Sequence, residues 1–212
     1  MVEKGTIEAI RKAIEASKQR NFEESVEIAV NLKDVDLSVP KNRIEEEILL
    51  PKGRGRQVRI AIFATGELAV KAKGSADMIF GPEDIEDLAD DKRRARKIAG
   101  KIDFFLAEAP LMPTIGKRLG AILATRGKMP KPVPPGADPK PIIENMKRTV
   151  KIRTKDRRTF HAPVGTKSMS PEDLADNLDE IIKRLVSRLE RGRDNIQSAY
   201  VKTTMGPAVK IM

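Results

Sequence analysis

The chain has 212 residues and carries 41 Lys and Arg against 31 Asp and Glu, a formal net charge of +10. That length suits one large domain or two small ones, and 40% hydrophobic residues suffice for a core, which excludes a disordered tail. With no Cys there are no disulfides or thiolate metal sites; no apolar run nears the ~20 residues that span a bilayer, and Met1-Val2-Glu3-Lys4-Gly5 leads into an amphipathic pattern, not a signal sequence.

Residues 6–20 read as a helix, because Ile7, Ile10 and Ile14 recur at spacings of three and four among Glu, Lys and Arg. Residues 25–32 change period. Val26, Ile28, Val30 and Leu32 alternate with Ser25, Glu27, Ala29 and Asn31, as in a half-buried strand. Ile44 to Leu50 is a second strand, against which the run Glu45-Glu46-Glu47 speaks. Pro51-Lys52-Gly53-Arg54-Gly55-Arg56 is a loop with three cations.

From Val58 the character changes. Val58 to Ala64 is almost continuously apolar, as in a strand covered on both faces, and Ala76 to Phe80 reads as another. Gly81-Pro82-Glu83-Asp84 opens a helix, with Pro in its first turn and acids near its positive end. The acidic run Glu83, Asp84, Glu86, Asp87, Asp90 and Asp91 reads as a solvated helix face paired with Lys92 to Lys97. Ile102 to Ala107 is a further strand. Thr114 starts a helix bearing Ile115, Leu119 and Ile122. After a Pro-rich stretch from Met129 to Pro141, a short helix carries Ile142, Ile143 and Met146.

The period of two returns in Val150-Lys151-Ile152-Arg153-Thr154. The clearest helix follows, with Ser170 as N-cap, Pro171 at the first position and Glu172 and Asp173 in the first turn. Leu174, Leu178, Ile181, Ile182, Leu185 and Leu189 form one stripe, read as core, and Arg191 and Gly192 end the helix. A last strand runs from Ile196 to Thr203. Strand and helix alternate only in the middle of the chain, the mark of a parallel sheet with helices on its faces. The expected fold class is therefore α/β and α+β in two domains. An α+β domain is split between residues 1–57 and 150–212. A Rossmann-like, three-layer parallel α/β domain, 58–149, is inserted in it.

The basic excess predicts a polyanionic partner, with a basic enzyme as the other reading. Aromatic residues are 3% of the chain, with no Trp, which speaks against a face of stacked bases and for contacts through backbone and shape. His161 is the single histidine, and no Gly-x-Ser-x-Gly elbow accompanies it. Gly120 and Gly127-Lys128 mimic a phosphate loop, but the interval is too long and Met129 stands where Ser or Thr would hold magnesium. Gly53-Arg54-Gly55 precedes a strand and is no dinucleotide fingerprint. No catalysis, cofactor or metal is expected. Thr203-Thr204-Met205-Gly206-Pro207 is either a turn closing the last strand or a surface for the close approach of a nucleic-acid backbone.

Set in order, five segments resemble the large-subunit ribosomal protein L-one family. They are Asn21-Phe22-Glu23-Glu24-Ser25-Val26-Glu27, Leu50 to Arg56, Leu119 to Leu123 with Arg126-Gly127-Lys128-Met129-Pro130, His161-Ala162-Pro163-Val164-Gly165, and Thr203 to Pro207. Ala124-Thr125 stands where the bacterial form commonly has Gly-Pro, the tail of that signature is richer in Pro, and the chain ends at Met212. These departures fit an archaeal-type member. The resemblance implies a protein of the mobile stalk of the large subunit, in the cytoplasm, monomeric when free of the ribosome and without a membrane partner. Its implied partners are large-subunit ribosomal RNA, deacylated tRNA at the exit site and the mRNA of its own operon, which it would repress. Carried over by position, the RNA-binding residues are Phe22, Glu24, Lys167, Thr204, Met205 and Gly206. For Phe22 the other reading is core packing, and for Lys167 a solvated lysine. The basic run Lys147 to Arg158 is either a source of unspecific attraction or a solvated face. The rival functions are an enzyme binding a nucleotide in its central domain and a cationic membrane-surface protein, which lacks the one-sided basic helix it would need.

Overall fold

In the computed structural model, which describes residues 4–134, 136–154 and 157–212, the N-terminal apolar repeat forms helix α1 (Lys4–Glu15). It stops short of the expected residue 20, and Ser17 turns its hydroxyl to Glu24 instead of continuing the helix. Strand β1 (Ser25–Leu32) follows, then β2 (Glu45–Leu49), β3 (Ile60–Phe63), α2 (Gly66–Ala72), β4 (Met78–Phe80), α3 (Pro82–Asp90) and α4 (Lys92–Lys101). Next come β5 (Phe104–Glu108), α5 (Met112–Thr125), β6 (Lys131–Val133), α6 (Pro139–Arg148), β7 (Thr149–Arg153), β8 (Thr159–Thr166), α7 (Pro171–Arg188), β9 (Ile196–Thr203) and β10 (Val209–Lys210). The sequence reading had no α2, β6, β8 or β10, and no helix α4 separate from the one opened by Gly81. Met1 to Glu3, Pro135 of the Pro-rich stretch, and Lys155 and Asp156 of the run Lys147 to Arg158 lie outside the described residues.

The chain divides into two units, Met1–Arg56 with Arg148–Met212, and Gln57–Lys147. In the first, an antiparallel sheet has the order β10-β9-β1-β8, and β2 pairs with β7 in a separate ribbon. The period of two along β1 sends Val26, Ile28, Val30 and Leu32 into one core with α1 and α7. The intervening residues lie on the other face of the sheet. The acids of β2 find cations. Glu45 pairs with Lys151 of β7 at 2.9 Å, and Glu46 with Arg184 and Arg188 of α7 at 3.2 and 3.4 Å. These ion pairs offset two of the three successive glutamates of the strand.

Helix α7 begins as expected, with Ser170 Oγ accepting from the Asp173 amide at 3.1 Å. It ends at Arg188, earlier than Arg191-Gly192. Leu189 leaves the helix with φ −81° and ψ 139° and stays in the core. Asn195 anchors the return, accepting from the Arg191 amide at 2.8 Å and donating to the Lys33 carbonyl at 3.1 Å.

The second unit is built on a parallel sheet of order β4-β3-β5-β6. Both faces are covered, so β3 is buried throughout. Ala61 and Phe63 pack with residues of α3, α4 and α5, while Ile60 and Ile62 pack with residues of α2 and α6. Phe63 lies between Phe80 and Phe105, tilted against the first at 5.3 Å and stacked on the second at 5.9 Å between ring centroids. The three layers are those of the expected α/β class.

One expected pairing fails. Among the described residues no ion pair joins the acids of α3 to the cations of α4. The acids near the boundary serve the helix ends. Asp84 accepts from the Gly81 amide at 2.8 Å, and Asp91 caps α4 by accepting from the Arg93 and Arg94 amides at 3.0 and 2.9 Å.

Candidate nucleic-acid interface

Antiparallel pairing gathers distant segments at one end of the terminal sheet. Val26 near the start of β1 lies opposite Thr203 at the end of β9 and opposite Gly165 near the end of β8. The residues just outside those strand ends, Phe22 to Glu24, Lys167 and Thr204 to Gly206, are therefore neighbours. All six residues carried over from the family resemblance come to this place.

Glu24 is the centre of it. The residue is 2% exposed. Its Oε2 accepts from the Ser17 hydroxyl, and its Oε1 accepts from the Met205 amide at 3.0 Å and the Thr203 hydroxyl at 3.3 Å. Its backbone carbonyl accepts from the Lys167 amide at 2.9 Å. The Ser17 hydroxyl chiefly, then the Met205 amide, the Thr203 hydroxyl and the charge of Lys167 hold the carboxyl below its ordinary value, against burial, which opposes ionisation. With both oxygens engaged inside the protein, Glu24 positions its neighbours and does not face outward.

The other five are arranged around that carboxylate. The Thr204 amide donates to the Ser25 carbonyl at 3.0 Å, and the Thr204 hydroxyl accepts from the Ser25 amide at 3.1 Å. Lys167 Nζ donates to Ser17 Oγ at 3.0 Å, so this lysine is partly engaged and only partly exposed. Phe22 is 54% exposed and Met205 61% exposed. Core packing of Phe22 is thus set aside, and two apolar side chains stand in solvent on one small surface. Gly206 is needed from within. A Cβ there would lie 2.3 Å from Thr203 Oγ1, so the absent side chain makes room for a buried hydroxyl.

Ser17, Ser25 and Thr203 complete the network, and sequence reasoning passed over them. Ser25 and Thr203 stand inside recognised segments without being named as contacts. Ser17 gave no signal, because it fell inside a helix read too long. Beside the network, Arg54 and Arg56 line a hollow together with Glu27, His161 and Pro163. His161 is exposed on β8, opposite Ala29. The loop bearing these arginines is tied down by Asn177 of α7, which is 0% exposed. Its side chain donates to the Gly53 and Val164 carbonyls at 2.8 and 2.9 Å and accepts from the Lys52 amide at 3.0 Å. In the basic run Lys147 to Arg158, Lys151 and Arg153 are spoken for by Glu45 at 2.9 and 3.8 Å.

The inserted unit has its sheet's topological switch point between β3 and β5, where an α/β fold would take a phosphate at a helix N-terminus. There Glu108, at the end of β5, accepts from the Thr65 amide at 3.0 Å and the Thr65 hydroxyl at 2.6 Å, just before α2. A carboxylate already holds those donors, and an incoming phosphate would meet its charge. Among the described residues no group of acids or histidine could hold a metal ion.

The chain matches the family model described as ribosomal protein L1p/L10e family over residues 13–207. It is similar to proteins named large ribosomal subunit protein uL1. That of Methanocella arvoryzae is 55% identical, covering 100% of both chains. That of Thermoplasma acidophilum is 58% identical over 96% of this chain and 94% of the relative. That of Archaeoglobus fulgidus is 50% identical over 97% and 96%.

Proposed function

The chain belongs to the ribosomal protein L1p/L10e family, a family of structural ribosomal proteins and not of enzymes, and on that premise we propose that the end of its terminal sheet binds large-subunit ribosomal RNA. The observation that carries this reading is the buried Glu24 carboxylate. It fixes Ser17, Thr203 and Met205 while the side chains of Phe22 and Met205 remain in solvent. A rigid, hydrogen-bonded base with two exposed apolar groups suits a folded RNA. Phe22 stacks on a base or ribose, Met205 covers an apolar base surface, and Thr204 and Lys167 lie beside the phosphates and 2′-hydroxyls. The same surface takes a similar fold in the mRNA of its own operon and so represses it. Held on the stalk, the protein takes part in the movement or release of deacylated tRNA.

The test compares the full chain with Phe22→Ala and Met205→Ala, binding large-subunit ribosomal RNA at one fixed salt concentration. Each variant should lose about tenfold or more in affinity, on the scale of ~1.4 kcal/mol per decade. Melting should stay close to the parent, since both side chains are exposed. Unchanged affinity in both variants places the RNA site elsewhere. Competition by operon mRNA, weakened by the same substitutions, tests the repressor role.

A further inference from the structure

Helix α4 carries Lys92, Arg93, Arg94, Arg96, Lys97 and Lys101, all exposed, and only Ala95 and Ala99 of its residues are buried. Among the described residues none of these six cationic side chains makes an ion pair or hydrogen bond. The first turn holds no acid, so three cations sit at the end of the helix where its dipole repels them, while Asp91 at the cap accepts from the Arg93 and Arg94 amides. A helix selected for its own stability would place them elsewhere. Arg93, Lys97 and Lys101 recur every fourth residue opposite the buried alanines, about 6 Å apart along the axis.

A second segment is built around this helix. Gly127, at φ +66°, turns the chain after α5, and Lys128 then donates to the Ala99 carbonyl at 2.9 Å and to the Ile102 carbonyl, closing the end of α4. The same turn brings the exposed Arg126 against Gly100, where an added Cβ would lie 3.9 Å from its guanidinium. Arg126 thereby joins the stripe of Arg93, Lys97 and Lys101. The Arg-Gly-Lys segment that mimics a phosphate loop thus presents a cation beside α4 and fastens the helix end.

We infer that α4 with Arg126 is a second RNA-contacting surface of this protein, one that engages the sugar–phosphate backbone of large-subunit ribosomal RNA without reading its sequence. Unpaired exposed cations in a row suit a polyanion of regular charge, and the protein belongs to a ribosomal family. The inference rests on the proposed binding of large-subunit RNA. It differs in kind from the terminal site, which is a small hydrogen-bonded surface with exposed Phe22 and Met205.

The experiment measures affinity of the full chain for transcribed large-subunit ribosomal RNA across a series of KCl concentrations. The variant is Arg93→Gln/Lys97→Gln/Arg126→Gln, at exposed positions where Gln keeps the helix. Its log affinity should depend less steeply on log salt, by about 2 units of slope, since each lost phosphate contact removes roughly 0.7 to 0.9. Phe22→Ala should weaken binding with its slope unchanged. A triple variant with the parent's melting temperature and slope overturns the inference, and Phe22→Ala then still reports on the terminal site. A triple variant that loses binding to bulk deacylated tRNA, with its ribosomal-RNA slope unchanged, also overturns it. A parent chain that does not bind the ribosomal RNA overturns both readings. A variant that melts early is replaced by the three single substitutions, each expected to lower the slope by a little under one unit.

Discussion

Adding one carbon at Gly206 tests whether the Glu24 network is held together from inside. In Gly206→Ala the new Cβ would lie 2.3 Å from Thr203 Oγ1, where real contacts keep at least 3.0 Å, so the hydroxyl must move by about 0.7 Å. Thr203 is buried and β-branched, and its hydroxyl bonds the Glu24 carboxylate, so it has little freedom to give way. Loss of a hydrogen bond to a charged group costs about 1.5 to 3 kcal/mol, and overpacking adds about 1 kcal/mol or more. Gly206→Ala should therefore destabilise the fold by roughly 3 kcal/mol. In a Thr203→Ala background the obstacle is gone. The next neighbours, at 3.4 and 3.5 Å, are Ser17 Cβ and Thr203 Cβ, close contacts but not prohibitive ones. The double-mutant cycle, read by urea unfolding, should show Gly206→Ala costing ~1 kcal/mol or less there, a coupling of about 2 kcal/mol. Equal costs in both backgrounds would refute the steric argument.

Asn177→Leu keeps the side chain's bulk but removes three hydrogen bonds, leaving the Gly53 and Val164 carbonyls and the Lys52 amide without that partner; a loss of about 3 kcal/mol or more is expected by urea unfolding. The Glu24 carboxyl is depressed below its ordinary 4.5 in the folded protein, so its stabilisation is complete above about pH 4.5 and is lost as pH falls through the folded value. Glu24→Gln should lower stability near pH 7 and flatten the decline toward about pH 3, read from unfolding free energies across that range; an unaltered acid decline would mean that other carboxylates govern it.

How much of this was legible depended on whether the signal was local. Helix α7 was plain, since Ser170, Pro171 and the apolar stripe each act within a turn or two. Strands β1 and β9 were plain because one face is buried and the other is not. Strand β8 was not, since Pro163 and Gly165 interrupt the alternation although both lie in register with β1. Helix α4 lacked a stripe of large apolar residues, because Ala95 and Ala99 suffice at its packed face. Helix α2 spans only seven residues, too few for a period to emerge. At the interface, the resemblance supplied Phe22 and the Thr204 to Gly206 segment. It did not supply the internal contact of Gly206, whose segment reads in sequence either as a turn or as room for a nucleic-acid backbone. Inside the fold Thr203 needs that room, and Ser17 enters only through folding. Such contacts join residues far apart in the chain, and no spacing rule reports them.

The position of β1 also sets a timetable for the newborn chain. Ile28 pairs with Ala162 and Val201, so at about 5 to 20 residues per second β1 spends roughly 7 to 27 s without its first neighbour. The parallel unit, contiguous from Gln57 to Lys147, emerges within that interval and has all its strands in hand. The surface around Glu24 cannot assemble until Thr203 and Met205 have been made, since both are donors to its carboxylate. A chain abandoned between Lys147 and Thr203 therefore contains the whole inserted unit and no such surface. Completion of the chain is thus the step that creates the Glu24 network, whereas the α4 stripe with Arg126 is complete once the inserted unit has been made.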